Sequence, residues 1–154
     1  MHQINQYIVI NKSYEFNEKI ALWICEKNDS GLVEILTIQK DETYNRIVER
    51  AIKYDVGSLL NKDIQGVQRI HDTGFDESNE CYFIVYEYLE GYSFLKLALS
   101  NTNSNSVLDL ARGLDLLNKE NLRCQIIDTR SVKIDSRGNS KLGFVGLFEL
   151  FKHQ

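Results

Sequence analysis

The chain has 154 residues, a formal net charge of -4, 43% hydrophobic residues and 26% charged ones, the profile of one ordinary domain with a real core. The acidic balance and the absence of any Lys/Arg run longer than two argue against nucleic acid as a partner. No apolar run approaches the roughly 20 residues of a membrane helix, so no membrane partner is expected either.

The predicted elements begin with a strand at Tyr7–Ile10, followed by a polar, turn-like stretch at Asn11–Glu18. Lys19–Cys25 reads as a second strand, built on Ile20, Leu22, Trp23 and Ile24. Lys27–Gly31 (KNDSG) is a hairpin turn by composition, and Leu32–Gln39 a third strand. The period then changes. Ile47, Val48, Ala51, Ile52, Val56, Leu59 and Leu60 recur at three- and four-residue spacing, which predicts a helix with one apolar stripe. Val67–His71 is read as a strand and Gly74–Glu80 as an acidic turn. Tyr82–Tyr88 is aromatic and β-branched, the composition of a strand covered on both faces. Glu90 and Gly91 break that run, and Ser93 caps a short helix at Phe94–Leu99. Asn101–Ser106 (NTNSNS) is a polar loop. Ser106 caps a helix to Asn121, and short strands are read at Leu122–Ile127, Val132–Asp135 and Lys141–Phe144. Leu147–Phe151 is apolar and carries no assignment.

The cysteines, Cys25, Cys81 and Cys124, are odd in number and have no CxxC spacing, which suits reduced, buried thiols. His2, His71 and His153 are far apart, so no zinc site is expected. The first residues, MHQINQ, lack the charged and apolar blocks of a signal peptide, and a cytoplasmic protein is expected.

On pattern alone the order of elements is that of an α+β fold. Three motifs carry a more specific likeness: Glu87–Gly91 (EYLEG), Leu110–Leu122 (LARGLDLLNKENL) and Val132–Gly146 (VKIDSRGNSKLGFVG). Together with the element order they resemble eukaryotic-type (Hanks-type Ser/Thr) protein kinases: an inter-lobe hinge, a helix of the large lobe, and the loop from the catalytic strand to the metal-binding motif. The resemblance implies a small lobe over residues 1–87, with a five-stranded antiparallel sheet and one helix. Residues 88–154 would be the hinge and a truncated, mostly helical start of the large lobe, the whole forming one compact unit. The likeness stops shortly after Gly146.

The same resemblance places the chemistry of phosphoryl transfer on residues that cannot perform it. The glycine-rich phosphate loop falls on Asn11–Glu18, which has no glycine and carries Glu15 and Glu18. The phosphate-pairing lysine falls on Leu36, and Glu34 stands where a small apolar residue would line the adenine pocket. A shifted alignment offers Lys40 instead. The helix acid falls on Asp55. Tyr86 takes the gatekeeper position before the hinge residues Glu87, Tyr88 and Leu89. The His-Arg-Asp run falls on Cys124, Gln125 and Ile126, so the catalytic base would be an isoleucine. Asp128 falls on the catalytic-loop lysine and Ser131 on the asparagine, and another register makes Asp128 the base. Phe144, Val145 and Gly146 replace the Asp-Phe-Gly metal motif, and phenylalanine offers Mg²⁺ no oxygen.

The reading is a non-catalytic, kinase-like domain without a cofactor, acting as a regulatory or protein-interaction module. The alternatives are a nucleotide-binding enzyme or sensor using Lys40 and Asp128, and an unrelated α+β interaction domain. The candidate interface is the Ser106–Asn121 helix with its Leu110, Leu114 and Leu117, together with Leu147, Phe148 and Phe151 of the tail. It would meet a protein partner, a second copy or the remainder of a larger chain. The competing arrangement folds Phe94–Leu99 back over that helix.

Overall fold

The computed structural model describes residues 1–89, 111–113, 115–116, 118–119, 132–134, 140–147 and 150–151. The chain divides into two units. One is Met1–Asn61 with Ile70–Tyr88, and the other is Lys62–Arg69 with Leu89–Gln154.

The first unit is an antiparallel sheet with one helix. Its strands are β1 (Gln3–Ile4), β2 (Tyr7–Asn17), β3 (Ile20–Glu26), β4 (Leu32–Gln39), β5 (Ile70–Asp76) and β6 (Cys81–Glu87), in the order β1-β2-β3-β4-β6-β5. The five strands that the resemblance implies are β2 to β6, and the two-residue β1 adds to one edge.

Strand β2 continues through the stretch read as a turn. Its polar residues pair with β3 as far as Asn17↔Ile20, and three register shifts absorb the irregularity. The actual turn is set by one side chain. Asn17 Oδ1 accepts from the backbone N–H groups of Lys19 and Ile20 at 2.8 and 2.9 Å, which reverses the chain within two residues. The β3–β4 hairpin forms at KNDSG as composition predicts. Asn28 and Asp29 take positive φ values of 38° and 61°, and the Ser30 N–H donates to the Lys27 carbonyl at 2.7 Å.

Strand β5 begins at Ile70, later than the sequence suggests, and runs through Gly74. That glycine is no turn residue. It stands opposite Phe83, and a Cβ built on it would lie 2.7 Å from the Phe83 ring. The ring occupies the space a side chain would need. The turn comes at Glu77–Glu80, where Asp76 accepts from the N–H groups of Ser78 and Asn79 at 2.9 and 3.2 Å.

The two sheet faces follow from the ladder. On one face lie Ile35, Phe83, Val85 and Cys25, clustered with Ile4 and Tyr7 and flanked by Val9, Trp23 and Val33. Burial of this cluster holds β1 and the start of β2 against the sheet through Ile4, Tyr7 and Val9. The other face carries Leu22, Leu36 and Ile84, which are cross-strand neighbours.

The helix α1 follows β4 in three consecutive segments: α-helical Asn45–Arg50, π-helical Ala51–Val56 and α-helical Gly57–Leu59. Its buried residues are Val48, Ala51, Val56 and Leu59. The five-residue step from Ala51 to Val56 is too long for one face of an α-helix. The wider π turn spans that step and keeps the stripe continuous.

In the second unit, β7 (Val132–Ile134) and β8 (Ser140–Leu142) form a hairpin with Val132↔Leu142 in register. The 66–68 segment pairs in parallel with β8: the Gln68 N–H donates to Leu142 O and the Leu142 N–H to Gly66 O, both at 2.8 Å. This is why Val67, read as the start of a strand of the first sheet, belongs here. The described residues from 111 to 119 are helical. Gly113 on that helix lies against Gly66, where an added Cβ would come within 2.9 Å of the Gly66 carbonyl oxygen. The readings at Phe94–Leu99 and Leu122–Ile127 lie outside the described residues.

Candidate functional site

The positions assigned to nucleotide chemistry on the first unit lie on β4 and β6. Glu34 stands between Ile24 on β3 and Tyr86 on β6, directly opposite both. It is 3% exposed and Tyr86 is 1% exposed. Burial, and behind it the nearby Glu34 charge, push the Tyr86 hydroxyl well above the usual tyrosine range. Two residues along, Leu36 is fully buried between Leu22 and Ile84. The site therefore holds a buried acid and a buried phenol opposite each other, with a leucine at the central position.

Lys40, the other lysine considered, is exposed beyond the end of β4. Its N–H donates to Glu80 O at 2.9 Å, and its ammonium lies 5.8 Å from the centre of the Phe75 ring. Asp55 is exposed in the π-helical part of α1, and its carbonyl accepts from the Ser58 hydroxyl at 2.8 Å. The acid that the helix does bring to the sheet is Glu49, which accepts from the Tyr82 hydroxyl at 2.6 Å. Sequence reasoning missed this pair, although Glu49 sits one residue after the buried Val48.

At the place of a phosphate loop, the β2–β3 connection presents Lys12 and Glu15 paired at 2.6 Å on the strand, then exposed Glu18. Lys19 after the turn pairs with Asp41. Glu87 closes the β4–β6 ladder opposite Val33, and Tyr88 and Leu89 follow it half-buried.

In the second unit, Phe144, Val145 and Gly146 follow β8. Phe144 has φ +56°, a region that bulky residues rarely occupy, and Gly146 has φ +86°. The Phe144 carbonyl accepts from the Leu147 N–H at 3.2 Å, and the Phe144 ring lies 5.5 Å from that of Phe151. Leu147 is 1% exposed and Phe151 half-buried. Cys124, Gln125, Ile126, Asp128 and Ser131 lie outside the described residues, as do Leu110, Leu114, Leu117 and Phe148. Among the described residues no group of three or more His, Cys, Asp or Glu side chains is placed to hold a metal ion, and no helix is long and apolar enough to cross a membrane.

No protein-family model matches the sequence, and no curated protein does. Solved structures do match. The chain is similar to the kinase domain of PknI from Mycobacterium tuberculosis, with a TM-score of 0.71 and 13% identity, over 94% of this chain and 61% of that one. A double mutant of the same kinase domain gives a TM-score of 0.75 at 12% identity, over 94% of this chain and 60% of that one. The chain thus spans about three-fifths of the length of these kinase domains. It has a protein-kinase-like fold, and the α+β arrangement of curled antiparallel sheet and one main helix is the small-lobe arrangement implied by the motifs. The unrelated α+β module is set aside on that ground.

Proposed function

We propose that the chain is a non-catalytic kinase-like domain that serves as a regulatory or protein-interaction module. The observation that carries this reading is Leu36, fully buried at the strand position where the kinase resemblance calls for a phosphate-pairing lysine. Two residues along the same strand, Glu34 is buried where the resemblance calls for a small apolar residue lining the adenine pocket. Phe144 has no oxygen for Mg²⁺, and Ile126 accepts no proton. Phosphoryl transfer depends almost wholly on positioning and electrostatics, so losing these parts together removes its basis.

The reading includes no cofactor and a cytoplasmic setting. The partner is another protein, a second copy or the remainder of a larger chain. The helix residues Leu110, Leu114 and Leu117 and the tail residues Leu147, Phe148 and Phe151 are its candidate contacts, although Leu147 is itself only 1% exposed in the chain.

Thermal melting with and without millimolar Mg·ATP tests this. A ligand that binds only the folded state raises stability by RT ln(1 + [L]/Kd), so the expected melting temperature is unchanged. A Mg²⁺-dependent rise of several degrees would replace this reading with the nucleotide sensor that uses Lys40 and Asp128.

A further inference from the structure

Among the described residues, one edge of strand β2 is largely unpaired. Strand β1 reaches only its first two residues, through Ile4↔Tyr7 and Gln3↔Ile8, and the Val9 N–H donates to His2 O at 3.0 Å. The other side pairs with β3 as far as Asn17. Among the described residues, no strand lies along the outer side from Ile10 to Asn17. Ile8, Ile10 and Tyr14 on this strand are about half exposed, at 53%, 53% and 47%. An open edge beside exposed apolar side chains is a template for another strand.

The charges on the edge indicate which strand. Lys12 pairs with Trp23 and Glu15 with Ala21. Trp23 and Ala21 are two residues apart on β3 and share a face, so Lys12 and Glu15 share one too. In a regular strand a three-residue spacing would put them on opposite faces. The register shift between Lys12 and Tyr14 brings them together. The cationic and acidic ends are 43% and 51% exposed, and the Lys12 ammonium is further steadied 5.0 Å from the Trp23 ring centre.

We propose that this edge pairs antiparallel with the same edge of a second copy, about a two-fold axis between Ser13 and Tyr14. Lys12 of each copy then lies opposite Glu15 of the other, giving two cross-strand ion pairs on one face. Centring the pair on Lys12 would set lysine against lysine, so the charges select the register. Bulges and an edge lysine normally discourage strand pairing. A second copy is the partner that carries the matching bulge and the matching acid. The association gives the interaction reading a partner, yet it holds whether or not nucleotide binds, so its failure would leave the non-catalytic reading intact.

Sedimentation of the full chain over a micromolar concentration series tests the proposal. The wild type is expected to be a reversible dimer. Lys12→Glu and Glu15→Lys should each weaken self-association by roughly tenfold or more, because both ion pairs become repulsive. Mixing the two variants in equal amounts should restore association, since one edge is then doubly acidic and the other doubly basic. Thermal melts check that each variant folds. A wild type that stays monomeric, single variants that dimerise as well as wild type, or a mixture no better than its components would each overturn the proposal.

Discussion

The Tyr82 hydroxyl on β6 donates a 2.6 Å hydrogen bond to the Glu49 carboxylate on α1. The bond joins the helix to the sheet at a point where the helix residue is otherwise exposed. Burial, and then the bond to Glu49 and its charge, push the Tyr82 hydroxyl up to about 12. A raised value favours the neutral phenol in the folded state. The associated stability is therefore complete below the ordinary tyrosine value of 10.0 and is lost as pH rises towards about 12. Tyr82→Phe should cost about 1 kcal/mol at neutral pH and flatten the decline above pH 10 in part. Urea denaturation at a series of pH values measures both, and identical curves for the two proteins would refute the link.

The thiols of Cys25 and Cys81 are fully buried, and burial pushes each up to about 12 from 9.0, with the Asp76 charge adding to the effect at Cys81. At neutral pH they are neutral and shielded, so neither should react as a thiolate. In a Cys124→Ala background, a chromogenic disulfide reagent should label the native protein only as fast as it opens, and label it at once in denaturant. Immediate labelling of the native protein would show that one of these thiols is accessible. Their raised values act in the same alkaline direction as Tyr82, from pH 9 upward, and together with the raised hydroxyls of Tyr86 and Tyr7 contribute to the decline that Tyr82→Phe leaves in place.

Asp76 binds four donors: the N–H of Asn5 at 2.7 Å, those of Ser78 and Asn79, and the Asn79 side-chain amide at 2.8 Å. Burial opposes its charge, but the donors, led by the Asn5 N–H, outweigh it and hold the carboxyl below its usual value of 3.8. The stability from this group is present above that value and is lost as pH falls through the lower folded-state value. Asp76→Asn should destabilise the protein by about 1–3 kcal/mol at neutral pH. It should also weaken the acid dependence below about pH 4. Equal stability at pH 7 would mean that the cluster contributes nothing.

Gly113→Ala opposes two effects. Alanine favours a helix by about 1 kcal/mol over glycine. Its Cβ would, however, sit 2.9 Å from the Gly66 oxygen and 3.1 Å from its carbon, and both are backbone atoms. Overpacking of this kind costs about 1–3 kcal/mol, so the net change should be destabilising. A raised urea midpoint for the variant would show that the contact yields freely.

The fold is legible where periodicity is strong. The alternating and continuous apolar strands from Ile20 to Gln39, and the stripe from Val48 to Leu59, are where the sequence places them. The misreadings have local causes. At Asn11–Asn17, polar composition suggests a turn, but the ladder with β3 prevails and the turn is made by the Asn17 side chain alone. Gly74 reads as a breaker, yet its lack of a side chain makes room for the Phe83 ring. Val67 is apolar enough for the main sheet, and only its pairing with Leu142 reveals its place. Of the candidate site, the burial of Leu36 and Glu34 follows from their position in a central strand. The Tyr82–Glu49 bond could not be read, because it joins residues 33 positions apart.

The Lys62–Arg69 segment has one further consequence. It is encoded inside the first unit but hydrogen-bonded in the second, through Gly66 and Gln68 to Leu142. No single break in the gene can therefore separate the two units as intact pieces. A fragment ending at Tyr88 would keep this segment without its β8 partner, and a fragment starting at Leu89 would lack the backbone that fills the space beside Gly113. Only an interrupted gene product, or two fragments supplied together, would let each unit be studied with its own contacts complete.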